Sequence, residues 1–189
     1  MTTLSSEDIR RLLRTAKRGS AEEFFDIYQP EAATDPEIGI DLLWEALFNK
    51  DDSARTAIVT RLLDDGADPG AARRGTTALH VLLDGNRHTP GAEAPLLAMM
   101  LDRGASVNAV DPKVGTPLET IAARFKFTDD DLKPFYDVLL GRNDLDLLQT
   151  SIYGDTVLTN LRKWSAQRAT LVARAEAYLS NRGIPVPSE

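Results

Sequence analysis

Cysteine is absent from the 189 residues. That removes a disulfide framework, a thiolate nucleophile and any cysteine-ligated zinc site, and it fits a reducing cytosol. Histidine occurs twice, at His80 and His88, so imidazole catalysis has two candidate bases, and neither lies in a recognisable catalytic phrase. No Gly-x-Ser-x-Gly elbow, His-Glu-x-x-His helix or phosphate-cradling glycine loop is present. Aromatic residues are sparse at 6%. The longest apolar stretch, Leu96-Leu97-Ala98-Met99-Met100-Leu101, is far shorter than the ~20 residues that cross a bilayer. The opening Met1-Thr2-Thr3-Leu4-Ser5-Ser6-Glu7-Asp8 leads into charge without the apolar core of a secretory signal. These absences predict a cytoplasmic, non-enzymatic chain with no cofactor, no metal and no membrane association.

What is present is ordinary globular composition, 42% hydrophobic and 27% charged. The length fits one continuous domain spanning residues 1–189. Against 29 acidic residues stand 22 Lys and Arg, a net charge of -7. Nucleic-acid binding draws much of its affinity from clustered cations that neutralise phosphates. The balance therefore points away from nucleic acid and toward a protein partner with a neutral or basic surface.

Internal repetition is the most informative feature. Leu62-Leu63-Asp64-Asp65-Gly66-Ala67-Asp68 is answered by Met100-Leu101-Asp102-Arg103-Gly104-Ala105-Ser106, with the glycines 38 residues apart. A third, degenerate copy is Leu139-Leu140-Gly141-Arg142-Asn143, with Asn143 in the glycine's place, and Gly183-Ile184-Pro185-Val186 forms a fourth. A second phrase keeps phase with the first. Gly75-Thr76-Thr77-Ala78-Leu79-His80 matches Val114-Gly115-Thr116-Pro117-Leu118-Glu119 and Gly154-Asp155-Thr156-Val157-Leu158-Thr159, the threonines being 39 and 40 residues apart. Gly39-Ile40-Asp41-Leu42-Leu43-Trp44 has the same outline, with Asp41 in the threonine's position.

The chemistry of these phrases explains their recurrence. Thr77, Thr116 and Thr156 precede apolar-periodic runs, where a hydroxyl can accept from an unpaired helix N–H, and Asp41 can do the same. Thr116-Pro117-Leu118-Glu119 adds proline at the first helical position and an acid three residues after the cap, a capping box. The Gly-Ala phrase ends a second helix, because glycine adopts the left-handed conformation that satisfies the last carbonyls. Ile58, Leu62 and Leu63, then Leu97, Met100 and Leu101, then Leu171, Ala175 and Leu179 fall at helical spacing, which gives each second helix one buried face.

The Thr-Pro-Leu phrase opening one helix and the Leu-Leu-x-x-Gly-Ala-Asp phrase closing the next, with turns at 69–74 and 109–114, resemble the ankyrin repeat. The resemblance extends over almost the whole chain, in units of about 1–35, 36–70, 71–110, 111–149 and 150–187. It departs from the family's ~33-residue unit: the spacing here is longer, and 86–91 and 126–131 are read as loop insertions. Ala72 and Ser151 also stand where the third unit has Asp111. The resemblance implies an all-α helical repeat solenoid of about five helix-turn-helix units including caps. It also implies a protein-binding scaffold in which turn tips and first helices line an extended groove.

Carried over residue by residue, the implied contact positions at the turn tips are Glu37, Ile38, Arg73, Arg74, Pro112, Lys113, Ile152, Tyr153 and Asp155. At the first-helix ends they are Phe48, Asn49, Asp84, Arg124, Lys163 and Trp164. Aromatic and arginine side chains are the usual energetic centres of interfaces, which singles out Arg73, Arg74, Tyr153 and Trp164, although Trp164 also suits covering the end of the core.

Three other features have blander readings. His80 stands where ankyrin-like repeats carry a histidine bonded to neighbouring backbone, and His88 reads as a solvated loop residue. Asp129-Asp130-Asp131 lacks the spaced oxygens of a calcium loop and suits a helix start. Arg10, Arg11, Arg14, Lys17 and Arg18 accompany an apolar stripe of Ile9, Leu12, Leu13 and Ala16, as in an amphipathic capping helix with a solvated face. Size and acidity fit a bacterial immunity or antitoxin-like inhibitor. The competing expectation is an enzyme or small-ligand site near 86–91.

Overall fold

Helix starts follow the cap chemistry at most positions. The computed structural model describes residues 5–36 and 38–188, and of Tyr153 only the backbone. The described residues form ten α-helices and no strand. These are α1 Ser6–Arg18, α2 Ala21–Phe25, α3 Gly39–Leu47, α4 Asp52–Asp64, α5 Ala78–Leu83, α6 Pro90–Asp102, α7 Pro117–Ala122, α8 Asp129–Leu140, α9 Val157–Lys163 and α10 Ser165–Ser180, with 3-10 turns at Pro30–Ala33 and Ile152–Gly154. Ser5, Ser20, Thr116 and Thr128 each form a reciprocal capping box with the acid three residues on. Thr156 accepts from the Thr159 N–H at 3.1 Å. The aspartates at 129–131 form the first turn of α8, where negative charge opposes the positive helix end.

Asp41 does not cap α3. That helix begins earlier, at Gly39, with Ile38 at its N-cap and no side-chain cap bond. The start is set by packing, because a Cβ on Gly39 would lie 2.4 Å from the Ala33 carbonyl oxygen. Asp41 sits one turn in and pairs with Arg73 at 2.7 Å.

Gly66 and Gly104 close α4 and α6 in the left-handed region, φ 96° and 100°. The Ala67 and Ala105 N–H groups return to the Leu62 and Met100 carbonyls at 2.9 and 3.0 Å, a Schellman closure. Asn143 does not follow them. Arg74 is the one non-glycine residue at positive φ among those described, and the chain after α8 is held instead by the Tyr178 hydroxyl, whose single proton is shared between the Arg142 and Leu145 carbonyls at 2.8 and 3.0 Å.

The helices stack in two layers. Helices α3, α5, α7 and α9 pack in succession, as do α4, α6, α8 and α10, and α1 and α2 begin the two rows against α3 and α4. Leu43, Leu79, Leu118 and Leu158, the matched leucines of the recurring phrase, are all buried, each contributing about 1.5–3 kcal/mol. One continuous apolar cluster runs from Leu12 to Leu179. At the outer ends of the second helices, Arg103 pairs with Asp64 and Arg142 with Asp102 at 2.5 and 2.6 Å, a staple repeated in register from unit to unit.

Polar ties also join successive turns. His80 accepts the Thr77 N–H on Nδ1 at 3.1 Å, so Nε2 carries the proton and donates to the Gly115 carbonyl at 3.0 Å. Burial holds its pKa below the usual histidine range. In the unfolded chain the ring takes a proton near pH ~6.5, while the folded chain resists it. Stability from this group is therefore present above about pH 6.5 and is lost as the pH falls from there toward the folded value. Urea midpoints measured from about pH 7.5 to 5.5 are expected to fall in the wild type and to fall less in His80→Gln. Parallel curves would show that His80 is not the titrating group.

Candidate interaction surface

The fifteen positions implied by the repeat pattern divide into two rows at opposite ends of the first helices. Those helices are short: α5 and α7 have six residues each, ~9 Å at 1.5 Å per residue. All six residues of α7 are buried, while α3, α5 and α9 leave Trp44, Val81 and Thr159 partly exposed. The implied positions therefore gather on the two edges of the layer.

The first edge is made of turn tips. Arg73 and Thr76 exchange backbone hydrogen bonds at 3.0 and 3.1 Å, leaving Arg74-Gly75 as a two-residue turn with both φ positive, 55° and 91°. That is the type I′ hairpin geometry. Arginine in this region is strained by about 1 kcal/mol relative to glycine. Its side chain is exposed, and no ion pair engages it among the described residues. The next tip is bracketed by Asp111 and Gly115, whose N–H and carbonyl groups bond reciprocally at 2.9 Å, and it exposes Pro112 and Lys113.

Asp111 anchors both tips. Its carboxylate accepts from the Thr76 hydroxyl and from the Lys113 N–H at 2.7 Å. Burial alone would raise its pKa, but these bonds outweigh burial and hold it below the usual carboxylate range. A Cβ on Gly75 would meet Pro112 Cδ at 2.6 Å, so neighbouring tips are in contact and form a rigid row. Ile152 lies in the third tip, half-buried. Asp155 there pairs with Lys163 at 2.5 Å. Glu37 and the Tyr153 side chain lie outside the described residues.

The second edge follows the loops that leave the first helices. Phe48 is 49% exposed, with the Lys17 ammonium 5.0 Å from its ring centroid. Asp84 and Arg124 pair across neighbouring units at 2.8 Å. Trp164 is half-buried and meets Phe125 edge-on, centroids 5.8 Å apart.

Phe125, 50% exposed, is the contact candidate that repeat matching missed. Its signal is an aromatic side chain placed directly after a short helix in a chain with few aromatics.

Two implied positions are interior. Ile38 is 8% exposed and belongs to the core. Asn49, 3% exposed, is occupied by the fold: its Nδ2 donates to the Ala16 and Gly19 carbonyls at 2.9 and 3.0 Å, which ties α1 to the end of α3. Repeat matching gave their positions in the chain but not their depth in the fold.

His88 is likewise no solvated loop residue. Its side chain is 1% exposed, with its ring 5.0 and 5.2 Å from those of Phe127 and Phe135. Its Nδ1 lies 2.7 Å from Glu93 Oε2. The buried Glu93 also meets Arg55 at 3.0 Å, so the 85–89 loop is pinned over α4 and α6 by a polar chain of His88, Glu93 and Arg55, and Pro90 and Gly91 of the expected insertion open α6 instead.

No protein-family model and no curated protein sequence matches the chain. Its structure is similar to the crystal structure of a functionally unknown protein from Leptotrichia buccalis C-1013-b, with a TM-score of 0.70 and 22% identity over 93% of this chain and 96% of that one. The fold is thus shared along nearly the full length of both chains. No described helix is long and apolar enough to cross a membrane.

Proposed function

We propose that this chain is a non-catalytic, ankyrin-like repeat scaffold that binds another protein through the side chains on its two edges. The two-layer stacking of helix pairs, the hairpin-like tips and the Thr-Pro-Leu-Glu helix start support the ankyrin-like reading. The observation that carries binding is the pair of half-exposed rings, Phe48 and Phe125, at the ends of short helices locked into the core. Large aromatic side chains on a rigid support concentrate binding energy at interfaces, and a preformed surface keeps the ordering penalty of association low. Arg74 supports the same reading from the other edge, since it keeps a long charged side chain where glycine would be unstrained. The mechanism is occupancy: the edges cover a surface on the partner, and masking of the kind an immunity protein performs is the form that the size and acidity of the chain fit.

Affinity capture from lysate tests this with three baits. Arg74→Gly with Lys113→Ala clears the tips, and the relief of backbone strain at residue 74 offsets the extra unfolded-state freedom of glycine, so folding is expected to persist. Phe125→Ala with Trp164→Ala clears the far edge. A protein held by the wild type and lost by either folded variant is the expected result. If nothing is held, or both variants hold the same protein as well as the wild type does, the reading is wrong.

A further inference from the structure

We infer that the cleft between the 48–52 turn and the 85–89 loop docks an acidic segment of a protein partner, with an apolar side chain set beside its carboxylates. This rests on the binding reading above and supplies the chemistry of the partner at the far edge.

The cleft has a volume of about 290 Å³ and opens between the ends of the α3 and α5 helices. Leu47, Phe48 and Val81 give it an apolar wall, and Lys50 and Arg87 stand on its rim. The floor holds two nearly buried charged groups, Arg55 and Glu93. The guanidinium of Arg55 reaches Asp52 at 2.6 Å, Glu93 at 3.0 Å and the Asn49 carbonyl at 2.9 Å, while its Nε–H is buried without an acceptor among the described residues. The second oxygen of Glu93 is taken by His88.

The carboxylates around this cleft are therefore committed to the fold. Asp51 caps α4 through the Ser53 and Ala54 N–H groups, both at 2.9 Å. Asp52 and Glu93 hold Arg55, and Asp84 holds Arg124. The rim cations are not committed: Lys50 and Arg87 are exposed, and neither makes an ion pair among the described residues. Lys126, further along the edge, is exposed as well and lies only over the Phe127 ring, 4.8 Å from its centroid.

A chain of net charge -7 thus presents two unpaired cations, Lys50 and Arg87, beside the half-exposed Phe48 ring. A carboxylate entering between Lys50 and Arg87 is attracted by both cations, an attraction that added salt weakens. An adjacent apolar side chain would cover the exposed face of Phe48. A basic segment would meet like charge there, which complementary interfaces avoid.

Short random peptides displayed on phage, selected against the full chain, test this. Enrichment of Asp and Glu next to Leu, Phe or Trp is expected. Binding of the selected peptides should fall by about tenfold or more in Lys50→Glu with Arg87→Glu and with added salt. It should also fall in Phe48→Ala and stay unchanged in the Arg74→Gly, Lys113→Ala tip variant. Thermal melts confirm that each variant is folded. The inference is overturned if no peptides are enriched, if neutral or basic ones are, or if acidic ones bind the Lys50→Glu, Arg87→Glu variant as well as the wild type. Peptides lost only in the tip variant would overturn this inference and leave the scaffold reading standing, whereas failure of the lysate capture counts against the scaffold reading itself.

Discussion

Replacing Arg168 with methionine is expected to lower the unfolding free energy by about 3–5 kcal/mol, the range for removing one member of a buried, hydrogen-bonded charge network. Arg168 is 1% exposed, each of its hydrogen bonds is to a backbone carbonyl, and the Asp129 carboxylate lies 3.8 Å from it. Its Nε donates to the Ala122 carbonyl at 2.6 Å. One terminal nitrogen serves Phe127 and Gln167 at 3.0 and 3.1 Å, and the other serves Arg124 at 2.9 Å. Helix α7 has six residues, too few to satisfy its own last carbonyls, and its C-terminal end favours a cation. The kink at Arg168 within α10, φ -130° and ψ 33°, is the backbone adjustment that accompanies this placement. Methionine keeps the volume of the stem but strands the carbonyls. Urea denaturation measures the loss, and a change under about 1 kcal/mol would show that water replaces the guanidinium freely. Lysine, with fewer and less directed donors, is expected to fall between the two. The guanidinium also sits 5.4 Å from the Phe125 ring centroid, so the variant should loosen the far edge before the whole chain unfolds.

Glu119→Ala is expected to be comparably severe, about 3–4 kcal/mol, because it leaves several donors unanswered at once. Glu119 is fully buried. Its carboxylate accepts the Thr116 N–H at 2.7 Å and the Thr116 hydroxyl at 2.9 Å, closing the cap of α7. It also accepts the Ser151 hydroxyl at 2.5 Å and the Asn160 amide at 2.8 Å, which binds the next tip and α9 to it. Glu119→Gln replaces one acceptor oxygen with a donor and should lose about half as much. Amide exchange should rise first over 150–160. A rise spread evenly over the chain would mean that the carboxylate serves the whole core and not the junction of two units.

The difference between these two residues shows what was legible in the sequence. Thr116, Pro117 and Glu119 announce a helix start through chemistry confined to four residues, and so do the closures at Gly66 and Gly104. The second use of Glu119, and the bonds of Arg168 to Ala122, Arg124 and Phe127, depend on atoms 32 to 46 residues away, and no local pattern encodes that separation. Asp41 misled for the same reason. It resembles the capping threonines in its phrase, but the close approach of Gly39 to the Ala33 carbonyl moves the start of the helix. His88 sits among polar residues in the chain and among Phe127, Phe135 and Glu93 in space.

Total charge does not give the local distribution: Asp51 is engaged in a cap and Asp52, Asp84 and Glu93 in ion pairs, while Lys50 and Arg87 make no ion pair among the described residues. The all-helical class was readable from periodicity and caps. The burial of all six residues of α7 was not, because it depends on what packs over a helix and not on its own sequence.

Amide hydrogen exchange on the chain, alone and with its captured partner bound, tests edge binding most directly. Binding is expected to slow exchange at the tips, 72–76 and 111–115, and at the far-edge loops, 48–52, 85–89 and 124–128, with the second helices α6 and α8 unchanged. Slowed exchange confined to those second helices, with both edges unchanged, would contradict it and place the partner on the opposite layer.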